Sequence, residues 1–232
     1  MILFPRFALC TFLLLTGGWQ AHAQGAPMQL GPRKPVVAAP KAVMGKAAPV
    51  DTASAIARAN ETLNASNVLT ADFVQIAADG HRSEGKLSVQ RPGRMRFEYN
   101  SPATLTIVAD GTTVAIQDRK LHTQDPYFIG QTPLKFLLKE QVDISRDTKV
   151  LDVTSEGAST SVFIEDKATF GGTSKIKLTF DSASFALKQW KVVDAQGFET
   201  LVSLFNVDTA RKPDPALFKI DNDLYRNKNS LK

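Results

Sequence analysis

The chain has 232 residues, of which 43% are hydrophobic, and a formal net charge of +5. This length and hydrophobic content are sufficient for a sizeable core. The basic residues are spread along the chain without a clustered patch, which argues against a nucleic-acid-binding protein. After residue 23 no apolar stretch approaches the about 18 residues that a membrane-spanning helix needs, so we predict none.

The first 23 residues have the organisation of a signal peptide. Arg6 provides a positive amino-terminal region, residues 7–15 form a short apolar run, and Ala21-His22-Ala23 matches an A-x-A cleavage site. We therefore predict export and cleavage after Ala23. The only cysteine, Cys10, lies in this segment, so the mature chain is predicted to have no disulfide and no lipid attached to cysteine.

Three further segments follow the signal peptide. Residues 24–50 are predicted to be a disordered linker, because prolines alternate with Ala, Gly, Val and Lys without any periodicity. Residues 51–223 are predicted to form one domain, and residues 224–232 a polar tail. Nothing in the linker sequence assigns it a role beyond that of a spacer.

The domain is predicted to begin with a helix from about residue 51 to residue 65, capped by Asp51. One face of this helix is a thin stripe of mostly small side chains, which consists of Ala53, Ile56, Ala57, Asn60 and Leu63. We expect such a helix to lie against the core without entering it deeply, and to lift away at little energetic cost.

The remainder of the domain alternates between apolar and polar residues and is predicted to be a meander of antiparallel strands. The predicted fold class is mainly β, with about 10–11 strands and a few short helices. One short helix is predicted after Thr132 as its cap and Pro133 in its first turn, and it is apolar on most sides. The candidate strand segments are 69–77, 85–91, 94–99, 104–109, 113–117, 121–124, 149–154, 160–165, 175–180, 187–193, 199–207 and 217–220.

Arg91 interrupts the alternation of the predicted strand 85–91. Leu87 and Val89 occupy the apolar parity of this strand, and Arg91 falls on the same side, next to the Pro92-Gly93 turn. A guanidinium buried without partners would be very costly. We therefore predict that Arg91 finds oxygen acceptors, and we regard it as the most informative residue of the sequence.

No motif of a catalytic or metal site is present. His81 and His122 are far apart in the sequence and lack the spacing of metal ligands, and Asp79-Gly80 and Asp110-Gly111 are typical of hairpin turns. We predict no catalytic residue, no metal and no cofactor. A hydrolase with a dispersed site that includes His81 or His122 stays open as an alternative without positive evidence.

The predicted sheet has a large apolar face and few helices to cover it. It is either an ordinary core or the wall of a cavity for a lipid, and the pattern leaves both open. The candidate lining residues are Leu87, Val89, Met95, Phe97, Tyr99, Leu105, Ile107, Val114, Ile116, Leu134, Phe136, Leu137, Leu178, Phe180 and Trp190.

An ordered set of short segments resembles the outer-membrane lipoprotein carrier family, LolA. The resemblance covers about residues 51–220, and no single segment is diagnostic. The segments are Phe73-Val74-Gln75, the strand from Gly85 that leads through Arg91-Pro92-Gly93 to Tyr99, Ser101-Pro102, Val108 to Gly111, Thr132-Pro133-Leu134, Phe180-Asp181, and Asp194 to Gly197 with Glu199-Thr200.

The resemblance implies an unclosed, strongly curved antiparallel barrel with a lid of short helices over a hydrophobic cavity. It also implies a periplasmic chaperone of a Gram-negative bacterium that takes lipidated lipoproteins from an inner-membrane ABC exporter and delivers them to an outer-membrane acceptor. Arg91 matches the arginine that controls the lid in this family. Met95 departs from the aromatic residue of some members. We expect a monomer without enzymatic activity or cofactor. A carrier or sensor of free lipid or glycolipid with the same fold is the alternative.

Overall fold

The computed structural model describes residues 51–169 and 171–221. The predicted signal peptide (1–23), linker (24–50) and polar tail (224–232) lie outside the described residues. The predicted domain boundaries at residues 51 and 223 stay a prediction.

Helix α1, Thr52–Asn64, begins as predicted, because the side chain of Asp51 accepts a hydrogen bond from the N–H of Ser54 at 3.1 Å. Its buried side chains are Ala55, Ala59 and Leu63. The predicted stripe was wrong at residues 53 and 57, which are exposed. The predicted pair, Ala53 and Ala57, and the buried pair, Ala55 and Ala59, are both four residues apart, so their spacing does not indicate which pair faces the core.

Eleven strands form one antiparallel sheet, and the predicted fold class is confirmed. The strand order is β6-β5-β4-β3-β2-β1-β11-β10-β9-β8-β7, so β6 and β7 are edges and the sheet is not closed. The strands are β1 Val68–Ile76, β2 Arg82–Gln90, β3 Arg94–Tyr99, β4 Leu105–Asp110, β5 Thr113–Asp118, β6 Thr123–Phe128, β7 Lys149–Glu156, β8 Ser159–Thr169, β9 Gly172–Asp181, β10 Leu187–Val193 and β11 Glu199–Asp208.

The sheet is strongly curved. Phe97 in β3 and Trp190 in β10 are separated by four steps in the strand order, which would be about 19 Å in a flat sheet with a spacing of about 4.8 Å. Their ring centroids are 6.4 Å apart. The face that carries these two rings is therefore concave, and we call it the inner face.

The chain between the two edge strands β6 and β7 contains short helices, and we call residues 129–148 the lid segment. It includes a 3-10 helix at Ile129–Gln131, α2 at Lys135–Leu138 and α3 at Ile144–Asp147. The predicted cap at Thr132 was wrong. Its hydroxyl donates to the carbonyl of Ile129 at 2.9 Å, so it closes the preceding 3-10 helix, and α2 has no side-chain cap.

The predicted last strand, 217–220, was also wrong. This region contains a 3-10 helix at Pro215–Phe218, because Asp214 accepts a hydrogen bond from the N–H of Ala216 at 2.8 Å and Pro215 occupies the first turn. The helix packs on the outer face of β3 and β4, where Arg96 donates to the carbonyl of Leu217 at 3.4 Å.

The two edge strands are irregular. β6 contains Pro126 opposite Ala115 of β5. The pairing of β7 with β8 shifts register between Val150 and Asp152, and Leu151 at the shift is exposed. Each edge strand therefore departs from a regular ladder near its middle.

Candidate functional site

Aromatic side chains form the centre of the inner face. Phe73 makes edge-to-face contacts with Phe97 and Tyr99, with ring centroids 5.0 and 5.1 Å apart. Trp190, 1% exposed, bridges from Phe97 to Phe136 of the lid segment, whose ring centroid lies 5.9 Å away. The lid segment thus contacts the aromatic centre of the sheet directly.

Most of the predicted cavity residues lie together. They belong to one buried hydrophobic cluster, against which Ile107 and Leu134 pack as partly buried side chains. Ile116 is half-buried outside the cluster, and Leu105, at the start of β4, is 40% exposed. The buried members of the cluster are Leu87, Val89, Met95, Phe97, Tyr99, Val114, Phe136, Leu137, Leu178, Phe180 and Trp190.

The lid segment fills most of the space over the inner face. Phe136, Leu137 and Leu138 are at most 5% exposed, and the void beside Phe136 and Ile164 has a volume of about 20 Å³. Such a void has room for one water molecule. The described conformation is therefore a closed one.

A larger pocket of about 350 Å³ opens at one end of the sheet. It lies between the end of α1, the start of β1, the end of β2 and the start of β10, and its lining is mostly apolar. The lining residues include Leu63, Leu69, Val89, Arg91, Leu137 and Leu187.

Arg91 lies at the boundary between this pocket and the lid segment. Its Nε donates to the carbonyl of Leu137 at 3.0 Å, and its Nη1 donates to Oδ1 of Asn64 at 3.5 Å. Burial lowers the pKa of the Arg91 guanidinium, which remains charged at neutral pH because arginine starts so high. Next to it, the N–H of Gly93 donates to the carbonyl of Leu138 at 2.8 Å. The β2–β3 turn therefore holds the end of α2.

Two asparagines of α1 also hold the lid segment. The amide of Asn64 pairs with both backbone groups of Val142, donating to its carbonyl at 2.8 Å and accepting from its N–H at 2.9 Å. One turn earlier, Asn60 accepts from the N–H of Ile144 at 3.0 Å. This role of the two asparagines is not predictable from the sequence, because polar residues in the last turns of a helix are ordinarily solvated.

An ion pair also attaches the lid segment to the sheet, between Lys135 and Asp166 of β8, at 2.7 Å. Neither residue was singled out from the sequence. A signal was present, because Asp166 has the apolar parity of Val162 and Ile164, but the predicted strand ended one residue too early.

Tyr99 has a buried phenol that donates to Oε1 of Gln75 at 2.8 Å. Burial raises its pKa from 10.0 to about 12. The protonated phenol therefore stabilises the fold fully below pH 10, and this contribution is lost as the pH rises towards 12.

The free energy of unfolding is expected to fall more steeply with pH in the wild type than in Tyr99→Phe. The difference accumulates between pH 10 and 12 and reaches about 2–3 kcal/mol, at about 1.4 kcal/mol per pKa unit. Urea denaturation at a series of pH values measures it. Parallel pH profiles for the two proteins would contradict the expectation.

Other groups that the sequence raised as candidates do not gather into a site. His81 and His122 are both exposed. Among residues 51–169 and 171–221, no cluster of three or more His, Cys, Asp or Glu side chains has the arrangement of a metal site. No helix in these ranges is both long enough and apolar enough to span a membrane.

Known proteins with similar sequences share one description. Residues 64–221 match the family model of the outer membrane lipoprotein carrier protein LolA. The outer-membrane lipoprotein carrier protein of Chromobacterium violaceum is 30% identical over 178 residues, which cover 74% of this chain and 84% of that protein. The protein of the same description from Legionella pneumophila is 31% identical over 165 residues, covering 68% and 80%.

A solved structure of a LolA superfamily protein from Nitrosomonas europaea is a more distant match. Its TM-score is 0.43 at 10% sequence identity, and the alignment covers 74% of this chain and 99% of that one.

Proposed function

This chain belongs to the outer membrane lipoprotein carrier family LolA, and we propose that it binds the acyl chains of lipoproteins on its inner face and carries them across the periplasm. The proposed cargo follows from the description of the family. The proposed binding surface is the aromatic cluster under the lid segment.

The observation that carries the proposal is that helices, not strands, cover the concave face. The lid segment connects the two edge strands and holds the β2–β3 turn, α1 and β8 through a few polar contacts. The buried rings of Phe97 and Trp190 become accessible if these contacts break, without loss of any strand pairing. An apolar face with a removable cover is what a carrier of acyl chains needs.

The open pocket next to the lid segment is too small for a complete cargo. The pocket beside Arg91 has a volume of about 350 Å³, near the lower end of the about 300–1,000 Å³ typical of small-ligand pockets. A lipoprotein carries two or three long acyl chains. Loading therefore requires the lid segment to move and to give up its contacts with Phe97 and Trp190.

The same contacts provide a reason for release. Each methylene that leaves an apolar environment for water costs about 0.8 kcal/mol, so the acyl chains need a continuous shelter. Closing the lid segment over the empty inner face competes with the bound chains and raises the free energy of the loaded state relative to a carrier without a lid. In this proposal Arg91 controls the closure.

The proposal includes the direction of transfer. The chain receives lipoproteins from an inner-membrane ABC exporter and passes them to an acceptor at the outer membrane. It acts as a monomer and catalyses no reaction. Its action consists of binding and release alone.

The mature protein is expected to release newly made lipoproteins from spheroplasts as soluble one-to-one complexes, because the inner face shelters their acyl chains. The measurement is size-exclusion chromatography of the soluble fraction. The same experiment with inner-membrane vesicles, in which ATP is added or left out, tests whether release requires ATP. Release that requires ATP supports the complete proposal.

Other outcomes would contradict it. Absence of any lipoprotein from the soluble fraction, together with free lipid or glycolipid bound to the protein, would replace the lipoprotein cargo with a free lipid. Ester hydrolysis that is lost in His81→Ala or His122→Ala would replace the carrier with a hydrolase.

A further inference from the structure

The Lys135–Asp166 ion pair differs from the other ion pairs of the described residues. The side chain of Lys135 is 12% exposed and that of Asp166 is 2% exposed. Each of the other described pairs has at least one partner that is more than a third exposed, such as Lys139 at 39% in its pair with Asp147. The attraction between two charges that are this deeply buried is little screened by salt.

Asp166 lies on the inner face and under the lid segment. It continues the parity of Ile164 in β8, and its partner across the ladder is the buried Ser174 of β9. Its Oδ1 accepts from Lys135 at 2.7 Å and from the N–H of Ala168 at 3.0 Å. Its Oδ2 is buried without a protein hydrogen-bond partner, next to the void of about 20 Å³.

The ion pair and Arg91 hold the two ends of α2 on opposite parts of the sheet. Lys135, the first residue of α2, is fixed to β8, and Leu137 and Leu138 are fixed to the β2–β3 turn. In the strand order, β2 and β8 are separated by five steps through β1, β11, β10 and β9. The short helix therefore reaches across the concave face and is attached on both sides.

We propose that the Lys135–Asp166 ion pair is a second latch of the lid segment, which closes it on the β8 side independently of Arg91. The use of this latch for cargo rests on the proposed carrier function. The latch itself is a property of the empty protein.

The chemistry of a buried pair favours this role over a purely stabilising one. A buried ion pair contributes little net stability because desolvation offsets the attraction, whereas removal of one partner leaves an uncompensated buried charge and is strongly destabilising. Apolar contacts between α2 and the inner face are non-directional and do not by themselves select one register. The ion pair selects the one in which Lys135 faces Asp166.

The test compares variants of the empty protein by hydrogen exchange and by binding of an apolar fluorescent dye. In Lys135→Met the carboxylate of Asp166 is left buried alone, so the lid segment is expected to open. Amide exchange in residues 132–148 should rise by about tenfold or more, since loss of one partner of a buried pair is strongly destabilising. Dye binding should rise with it, and exchange in β10 should stay unchanged.

Two further variants separate the latch from a general loss of stability. The double variant Lys135→Met/Asp166→Leu removes both charges. Its exchange in residues 132–148 is expected to stay faster than in the wild type, because the latch is absent, and slower than in Lys135→Met, because no buried charge is left alone. Lys139→Met breaks an ion pair within the lid segment itself, to Asp147, and is expected to leave exchange of α2 close to that of the wild type.

The proposal is overturned if Lys135→Met exchanges as slowly as the wild type in residues 132–148. It is also overturned if exchange rises equally in β10, or if the double variant exchanges as slowly as the wild type. None of these measurements uses a lipoprotein. Failure of the latch is therefore distinguishable from failure of the carrier function, which the spheroplast experiment tests.

Discussion

The Arg91→Leu variant is expected to take up lipoproteins normally and to hand them on poorly. Leucine keeps the apolar contact with the pocket beside α1 and removes the hydrogen bonds to Leu137 and Asn64. In the proposed mechanism the bond to Leu137 is made only when the lid segment is closed. Its loss is therefore expected to destabilise the empty, closed protein and to leave the loaded, open one unchanged. The equilibrium between the empty and the loaded protein therefore shifts towards the loaded state in the variant.

The size of the effect follows from the charge of the guanidinium. A hydrogen bond from a charged group contributes about 1.5–3 kcal/mol. Because about 1.4 kcal/mol corresponds to a factor of ten, the equilibrium constant for transfer of the lipoprotein to the acceptor should fall by about tenfold to a hundredfold. Uptake should not fall, since it no longer competes with this contact.

The measurement is the fraction of a preformed complex that delivers its lipoprotein to outer-membrane vesicles. Arg94→Leu is the matched control, because Arg94 is an exposed arginine of neighbouring β3 with the opposite parity to Met95. It should transfer as the wild type does. Unchanged transfer by Arg91→Leu would remove Arg91 from the mechanism.

Gly85→Ala is expected to give a large loss of stability. Gly85 lies in β2 opposite Tyr99, and a Cβ at this position would collide with the backbone carbonyl oxygen of Glu98 and approach Cε1 of Phe73 to 2.9 Å. A backbone oxygen inside a ladder has nowhere to move, and the Phe73 ring is fixed by Phe97 and Tyr99. Either the β2–β3 pairing or the aromatic cluster must give way.

Overpacking of a core typically costs about 1–3 kcal/mol and occasionally more, and a clash with backbone belongs at the upper end. We expect Gly85→Ala to lower the free energy of unfolding by about 3 kcal/mol, measured by urea denaturation. Gly130→Ala is the control, because a Cβ there meets no atom within 4 Å, and it should change stability by less than about 0.5 kcal/mol. Equal stability of the two variants would contradict the expectation.

The sequence predicts the strands well because their signal is local. Alternation of period two predicts both ends of β3, Arg94 and Tyr99. It also predicts that Phe97 lies on the apolar face and that Arg91 departs from the pattern. Local capping chemistry likewise predicts the start of α1 at Asp51. These features depend on neighbours a few residues away.

The attachments of the lid segment depend on residues far apart in the chain, and this explains why they were missed. Asn64 and Val142 are separated by 78 residues, and Lys135 and Asp166 by 31. From the sequence alone, an isolated asparagine or lysine is predicted to be exposed to solvent, because its partner is identified only by the folded structure. The 3-10 helix at Pro215–Phe218 was mistaken for a strand because apolar residues of a short segment do not distinguish the two.

The irregular edge strands have a consequence for the behaviour of the protein at high concentration. The edge strands of an unclosed sheet are in general templates for pairing with another copy and for aggregation. Pro126 removes a donor from β6, and the register shift at Leu151 bends the ladder of β7. The sheet can thus stay open, with an inner face that can be uncovered, while its edges resist growth into fibres or swapped dimers.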